Sequence, residues 1–253
     1  MPLPIALQLY TLRDEAAKDY TRVVNKVAEI GYAGVEPAGF PGTTAEAAGK
    51  LYKSLGLEVV GIHAPLPTNE KKNEVLDIVA ALGCKRFGCA YLPPENFQSI
   101  DGIKRVCDQL NAAAAFAEEN GLKFYYHNHW FEYGTVDGQP THKIMLQHLD
   151  PKVELEIDTY WVQTGGADVL EVLTEVGSRA TLLHIKDGPA DNKDSNMVAV
   201  GEGVMDWHKI IPAGKSAEWL IVELDRCATD MTEAVAKSYQ YLVKEGLGRG
   251  SKN

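Results

Sequence analysis

The chain has 253 residues, 25 of them basic and 35 acidic, a formal charge of −10, and is 45% hydrophobic. That composition gives a sizeable core and a solvated acidic surface, and it lacks the basic footprint of a general nucleic-acid binder. No run approaches the roughly 18 apolar residues of a membrane span, and the N-terminus MPLPIALQLYTLRDE has neither the basic n-region nor the long apolar h-region of a signal peptide.

Cys84, Cys89, Cys107 and Cys227 form no CxxC pair. Four cysteines in a chain of this length read as buried free thiols, and a cytoplasmic location is expected.

Ile5–Tyr10 opens the chain as a short apolar run. Thr21–Ile30 is apolar at positions 23, 24, 27 and 30, the spacing of a helix face, and Gly31 closes it. GVEP, from Gly34 to Pro37, predicts a second strand ending at Glu36. Thr43 and Glu46 stand at capping-box spacing before a helix that reaches Leu55 and stops at Gly56. LEVVGIH is a third strand ending on His63, followed by a helix over Lys72–Leu82 that Gly83 stops.

Cys84–Tyr91 reads as the fourth strand, Ile100–Asn120 as a long helix closed by Gly121, and Leu122–Asn128 as the fifth strand. A short helix over His142–Leu149 precedes the sixth strand, Val153–Asp158, which leads through a turn toward helical sequence and the helix Asp168–Val176. Thr181–Lys186 is the seventh strand and 187–205 a long polar loop. Trp207–Ile211 reads as a single helical turn, Leu220–Leu224 as the eighth strand, Thr232–Lys244 as the last helix and 247–253 as a loose tail.

Eight strands alternating with helices imply a parallel sheet covered by helices. The length suits one α/β domain over 1–253, a closed (β/α)8 TIM barrel with its active site at the strand C-terminal face. No GxGxxG follows the first strand, so a dinucleotide-binding fold has no support.

Asp158, His184 and Glu223 each end an apolar run in successive strands. In a barrel those ends converge on one face, where one divalent cation held by carboxylates and imidazole accounts for all three; Mn2+, Mg2+, Co2+ and Zn2+ all suit mixed oxygen and nitrogen donors. The fifth strand adds His127 and His129, which share a face by alternation, and Glu132 in the following loop. Glu36 and His63 end strands two and three and could meet substrate hydroxyls or form a salt bridge at the barrel mouth. Lys186, two residues past His184, points the same way and could hold an anionic or enolate oxygen. Trp130, Tyr160 and Trp161 stand near the mouth, where aromatics stack on sugar rings or simply pack. Gly201-Glu202-Gly203 is too short for a phosphate loop and suggests a flexible active-site loop, and neither GxSxG nor HExxH occurs.

The blocks HNHWFE, LEIDTYWVQTGG, LLHIKDG, VGEGVMDW and IVELD, with GVEP and GIHAP upstream, resemble the xylose-isomerase-like TIM barrel superfamily. Within it they are most similar to the sugar phosphate isomerase/epimerase group, over nearly the whole chain. In that family strand-end Glu, Asp, His and Glu bind one divalent metal, which implies Asp158, His184 and Glu223 as the last three ligands. Ketose epimerases carry a catalytic Glu six residues before a second Glu, and counting back from Glu132 lands on Tyr126. The strand-five ligand is then missing, or is Glu132, His129 or His127; Glu132 completes the expected set. Inosose dehydratase-like members also carry a His-rich fifth strand. The AP endonucleases of the superfamily have a His three residues after the strand-six Asp, where this chain has Trp161, and an Asp-x-His where it has Asp194-Ser195-Asn196, which argues against DNA repair.

The expectation is a metal-dependent isomerase or epimerase of a sugar or keto-sugar working through an enediolate, with Glu132, His129 or Glu223 as base. Glu36, His63, His127, Trp161 and Lys186 are expected around the substrate, a small carbohydrate. A keto-polyol dehydratase and a non-catalytic sugar-binding barrel are the alternatives, and the apolar helices could also support a homodimer.

Overall fold

A computed structural model describes residues 1–251. Its barrel strands are β1 (Leu3–Gln8), β2 (Gly34–Glu36), β3 (Glu58–Val59), β4 (Arg86–Cys89), β5 (Lys123–His127), β6 (Val153–Asp158), β7 (Ala180–Ile185) and β8 (Trp219–Val222). They pair in parallel in the order β3-β2-β1-β8-β7-β6-β5-β4. The edges meet where His63, just past β3, bridges Gly88 of β4: Gly88 N donates to Ile62 O and Ala64 N to Gly88 O, both at 2.9 Å. Gly88 is required there, because a Cβ would come within 2.2 Å of the Tyr125 ring.

Side chains alternate across each strand. Phe124, Tyr126, Leu155, Ile157, Leu183, Ile185, Leu220 and Val222 face outward into the apolar layer beneath the helices. The inward set begins with a small apolar plug of Ala6, Val60, Tyr125, Leu182 and Ile221. One pleat step further along β1, β5, β7 and β8 the inward residues become Gln8, His127, His184 and Glu223, joined by Glu36 and Asp158 at the ends of β2 and β6. The barrel is thus apolar at the bottom and ionisable toward its C-terminal face, which is where the family of barrel folds places chemistry.

The helices follow their local signals. Gly31, at φ +116°, ends Tyr20–Ile30; a side chain there would also strike the Tyr239 ring. The cap of Ala45–Leu55 is Thr44 rather than Thr43: its hydroxyl accepts from Ala47 N at 3.2 Å. Thr159–Thr164 starts directly on Asp158 with no intervening turn, because Asp158 is its own N-cap. The helix expected as one turn runs over Trp207–Ala213. An unpredicted hairpin pairs Thr135–Val136 with Gln139–Pro140 through Asp137-Gly138, whose φ values of +50° and +76° suit a two-residue turn.

Two expected loose segments are tied down. Gly248–Arg249 pairs in parallel with Leu3–Pro4, and Ser251 N donates to Gly31 O at 2.9 Å; the last two positions of the expected tail, 252 and 253, lie outside the described residues. The loop over 187–205 is gathered by the buried Asp187 carboxylate. Its Oδ1 accepts from Gly188 N and Met205 N, and its Oδ2 from Gly201 N and Trp207 Nε1, at 2.8 to 3.2 Å. Asp187→Ala leaves four donors without their acceptor and is expected to cost roughly 2 kcal/mol, because the loop amides can partly turn to water. Chemical denaturation checks this, and limited proteolysis is expected to cut within 188–205 in the variant first.

All four cysteines are free; Cys84, Cys89 and Cys107 are buried and Cys227 is partly exposed. No helix among the described residues is long and apolar enough to cross a membrane.

Candidate metal centre at the barrel mouth

A cavity of about 380 Å³ opens at the C-terminal face. His63, His127, His129, Glu223 and Asp225 line it, with Tyr10 and Tyr91 exposed on its rim. At its floor, His127, Asp158, His184 and Glu223 each offer a donor atom within 4.8 Å of all the others. Their neighbouring strands bring them together: Asp158 is the register partner of His184, and Glu223 follows β8 directly. His127 Nε2 lies 3.3 Å from Asp158 Oδ2 and 4.0 Å from Glu223 Oε2, and His184 Nδ1 is 2.9 Å from Glu223 Oε2.

All four are at most 5% exposed, so their unsatisfied atoms are informative. Asp158 Oδ1 is used as a helix cap on Trp161 N at 2.9 Å, which leaves Oδ2 for the cavity floor. Neither Asp158 Oδ2 nor His127 Nε2 has a hydrogen-bond partner among the described residues. His127 Nδ1 is 3.3 Å from Ala90 O, a contact that puts the proton on Nδ1 and leaves the Nε2 lone pair free. Two imidazoles and two carboxylates that converge, with one imidazole atom and one carboxylate atom among them unpartnered, fit a first-row divalent cation.

Lys186 supplies the fixed positive charge. Its buried ammonium lies 2.9 Å from Asp158 Oδ2, 2.7 Å from Glu223 Oε2 and 2.6 Å from Asp225 Oδ2. The contact with Asp158 is ionic rather than a directed hydrogen bond. Burial opposes every charge here and is outweighed by the neighbours. Asp158 is held below the usual carboxylate range, chiefly by Lys186, and Glu223 well below it by Lys186 and His184. Lys186 is raised well above the usual lysine value by Asp158, Asp225 and Glu223. Asp225 is the exception: burial raises it despite Lys186.

The structure redistributes several expected roles. Glu132 does not join the converging donors; His127 occupies the strand-five corner. Glu132 folds back onto the outward face of β5, where Oε1 accepts from Tyr126 OH at 2.5 Å and Oε2 from His129 N at 2.9 Å. Burial lifts its carboxyl to about 7. His129 does reach the cavity. Its ring stacks on Phe131 at 5.5 Å, its Nδ1 has no partner among the described residues, and burial with His127 beside it holds its pKa well below the usual histidine value.

Glu36 is fully buried beneath the cavity floor instead of facing substrate. Trp161 is also buried; it packs on Trp130 at 5.1 Å and lies under the Lys186 ammonium, 5.2 Å from its ring centroid. His63 sits on the cavity wall, with Nε2 at 2.7 Å from Glu156 Oε2. Gln8, Glu156 and Asp225 were missed. The alternation in ELEID and in ELD was the available signal: Glu156 precedes Asp158 by two and Asp225 follows Glu223 by two, so each pair shares the inward face.

A family profile described as xylose isomerase-like TIM barrel matches residues 24–244. A sugar phosphate isomerase/epimerase from Parabacteroides distasonis has TM-score 0.81 and 26% identity, covering 96% of this chain and 94% of that one. The IolI protein solved with a bound zinc atom shares the fold at TM-score 0.74 and 16% identity, covering 96% and 97% of the two chains. Among curated proteins, an inosose dehydratase from Clostridium beijerinckii is 24% identical over 159 residues, 56% of this chain. That match spans about half the length of the relative, 51%. The profile match spans most of the barrel, including all four converging donors, and the chain belongs to the xylose isomerase-like TIM barrel family.

Proposed function

We propose that the protein is a divalent-metal-dependent isomerase or epimerase of an uncharged sugar or keto-sugar. The observation that carries this reading is the convergence of His127, Asp158, His184 and Glu223 on the floor of the mouth cavity, with two of their buried donor atoms unpartnered. These four residues would hold the cation, which when bound supplies Lewis acidity to the substrate carbonyl and makes the adjacent C–H more acidic.

The chain's own groups supply the rest. His129 is neutral at pH 7, because burial and His127 keep its pKa low, and it carries the proton between substrate carbon atoms. Lys186 stays charged and, held under the floor by Asp158, Glu223 and Asp225, balances the charge of those carboxylates. Tyr10 and Tyr91 offer ring faces at the rim for the apolar side of a sugar. Neither lysine nor arginine lines the cavity among the described residues, and a phosphate there would face Glu223 and Asp225, so an uncharged substrate is favoured.

Loss of a neighbouring hydroxyl after the same proton abstraction would give dehydration, the reading that the inosose dehydratase relative supports. Turnover in D2O separates the two: deuterium on carbon without loss of water from the substrate is the isomerase outcome. Metal analysis of wild type, Asp158→Ala and Glu223→Ala tests the common part. About one divalent ion per chain, lost in both variants, is expected. Wild-type protein that takes up no metal after reconstitution with Mn2+, Co2+ or Zn2+ would overturn the proposal.

A further inference from the structure

We propose that Glu36 and Glu156 are positioning residues for His184, fixing its proton on Nε2 so that Nδ1 faces the cation. This rests on the metal centre proposed above.

His184 spans two layers of the barrel. Its Nδ1 faces the cavity floor, 2.9 Å from Glu223 Oε2. Its Nε2 faces down, 2.9 Å from Glu36 Oε2 and 3.2 Å from Glu156 Oε1. Ionised carboxylates only accept hydrogen bonds, and a neutral imidazole has one N–H to give. Nδ1 also meets a carboxylate, Glu223 Oε2, so without a cation both ring nitrogens have an acceptor. A cation on the floor would take the Nδ1 lone pair, and the proton that remains is the one on Nε2, between the two lower carboxylates. A histidine that binds metal commonly gives its other N–H to such a partner, which fixes the ring and raises its basicity.

Both carboxylates are themselves held. Glu36 Oε2 accepts from Gln8 Nε2 at 2.7 Å and Glu36 Oε1 from the Tyr125 hydroxyl. Glu156 Oε2 takes the Nε2–H of His63 at 2.7 Å, while its Oε1 has no directed partner and is free to share the His184 proton.

The donor atoms of Glu36, His63, Glu156 and His184 also lie within 4.8 Å of one another, a spacing that a second cation could use. Gln8 decides against that. Tyr10 N donates to Gln8 Oε1 at 3.0 Å, which fixes the amide and turns its NH2 toward Glu36 and, at 3.3 Å, His63 Nδ1. His63 Nδ1 is then the acceptor and Nε2 carries hydrogen, so Nε2 is not a ligand. The lower four residues form a hydrogen-bonded frame under a single cation.

The test is Zn2+ affinity, measured by competition with a chelating dye, for wild type, Glu36→Gln and Glu156→Gln, together with 15N histidine NMR of the zinc-loaded wild type. Each folded variant is expected to bind Zn2+ about 10- to 100-fold more weakly, Glu36→Gln by more, and the NMR is expected to show His184 protonated at Nε2. A purely structural role would lower the melting temperature and leave the affinity of the folded protein unchanged. Should Glu36→Gln not fold, Glu156→Gln carries the test. Affinities within about twofold of wild type in both variants, or zinc on Nε2, would overturn the proposal. If Asp158→Ala abolishes Zn2+ binding while both glutamine variants bind normally, this inference fails and the metal centre stands. A wild type that binds no Zn2+ sinks both.

Discussion

Lys186→Met is expected to destabilise the metal-free protein by roughly 3–5 kcal/mol, the cost of removing one partner from a buried charge cluster. The ammonium is 1% exposed and lies 2.6 to 2.9 Å from oxygens of Asp158, Glu223 and Asp225. Methionine fills most of the volume and supplies no charge, so the buried carboxylates of Asp158 and Glu223 and the partly buried one of Asp225 are left facing one another. Asp158 and Glu223 owe part of their low pKa to Lys186. In the variant they should take up protons more readily, so the deficit should narrow as the pH falls and be largest near neutrality. A divalent cation would replace the missing counter-charge. Melting in EDTA and in excess Mn2+ or Zn2+ is therefore expected to show a drop of about 10 °C without metal and a larger rescue by metal than wild type shows. Melting within about 2 °C of wild type in EDTA would mean that the lysine is not the counter-ion of this cluster.

The fold was legible because each unit announces itself twice. Apolar runs mark the strands, and glycines such as Gly31, Gly56 and Gly83 close the helices in the left-handed conformation. Asp158, His184 and Glu223 were legible because all three end strands that are neighbours in the sheet. The fifth strand was harder, since HNHWFE offers three candidates within six residues. Sequence order cannot say which way a loop residue folds. The structure separates them through Tyr126: its outward hydroxyl holds Glu132 away from the cavity, while inward His127 joins the converging donors. Glu36 looked like a mouth residue because it ends its strand. Its carboxylate is instead taken up by Gln8, Tyr125 and His184, so it turns to those neighbours rather than to the cavity. Those partners come from strands distant in sequence, which a single chain's hydropathy does not encode. The 187–205 loop misled for a related reason: glycines and polar residues suggested flexibility, and one buried Asp187 gathers them by contacts distant in sequence.

Glu132→Gln is expected to stabilise the protein at pH 8 by about 3 kcal/mol while leaving its metal content unchanged. Burial raises the Glu132 carboxyl from an ordinary 4.5 to about 7. The folded state thus holds this proton more tightly than the unfolded chain does. The resulting stabilisation is complete below about pH 4.5 and is lost as the pH rises through 7, where an unpaired carboxylate must form in an apolar setting. Glutamine does not titrate and keeps the geometry. Its amide oxygen can accept from His129 N, and its NH2 can donate to the Tyr126 oxygen, which turns its own hydrogen away. Urea unfolding of both proteins between pH 4.5 and 8.5 should give curves that coincide at the acid end and separate through pH 7. Curves that stay parallel would show that Glu132 is ionised at ordinary acidity, and therefore paired with a positive charge. Loss of metal in the same variant would make Glu132 a ligand. Between these readings, stability against pH and metal content together decide whether the strand-five corner belongs to His127 or to Glu132.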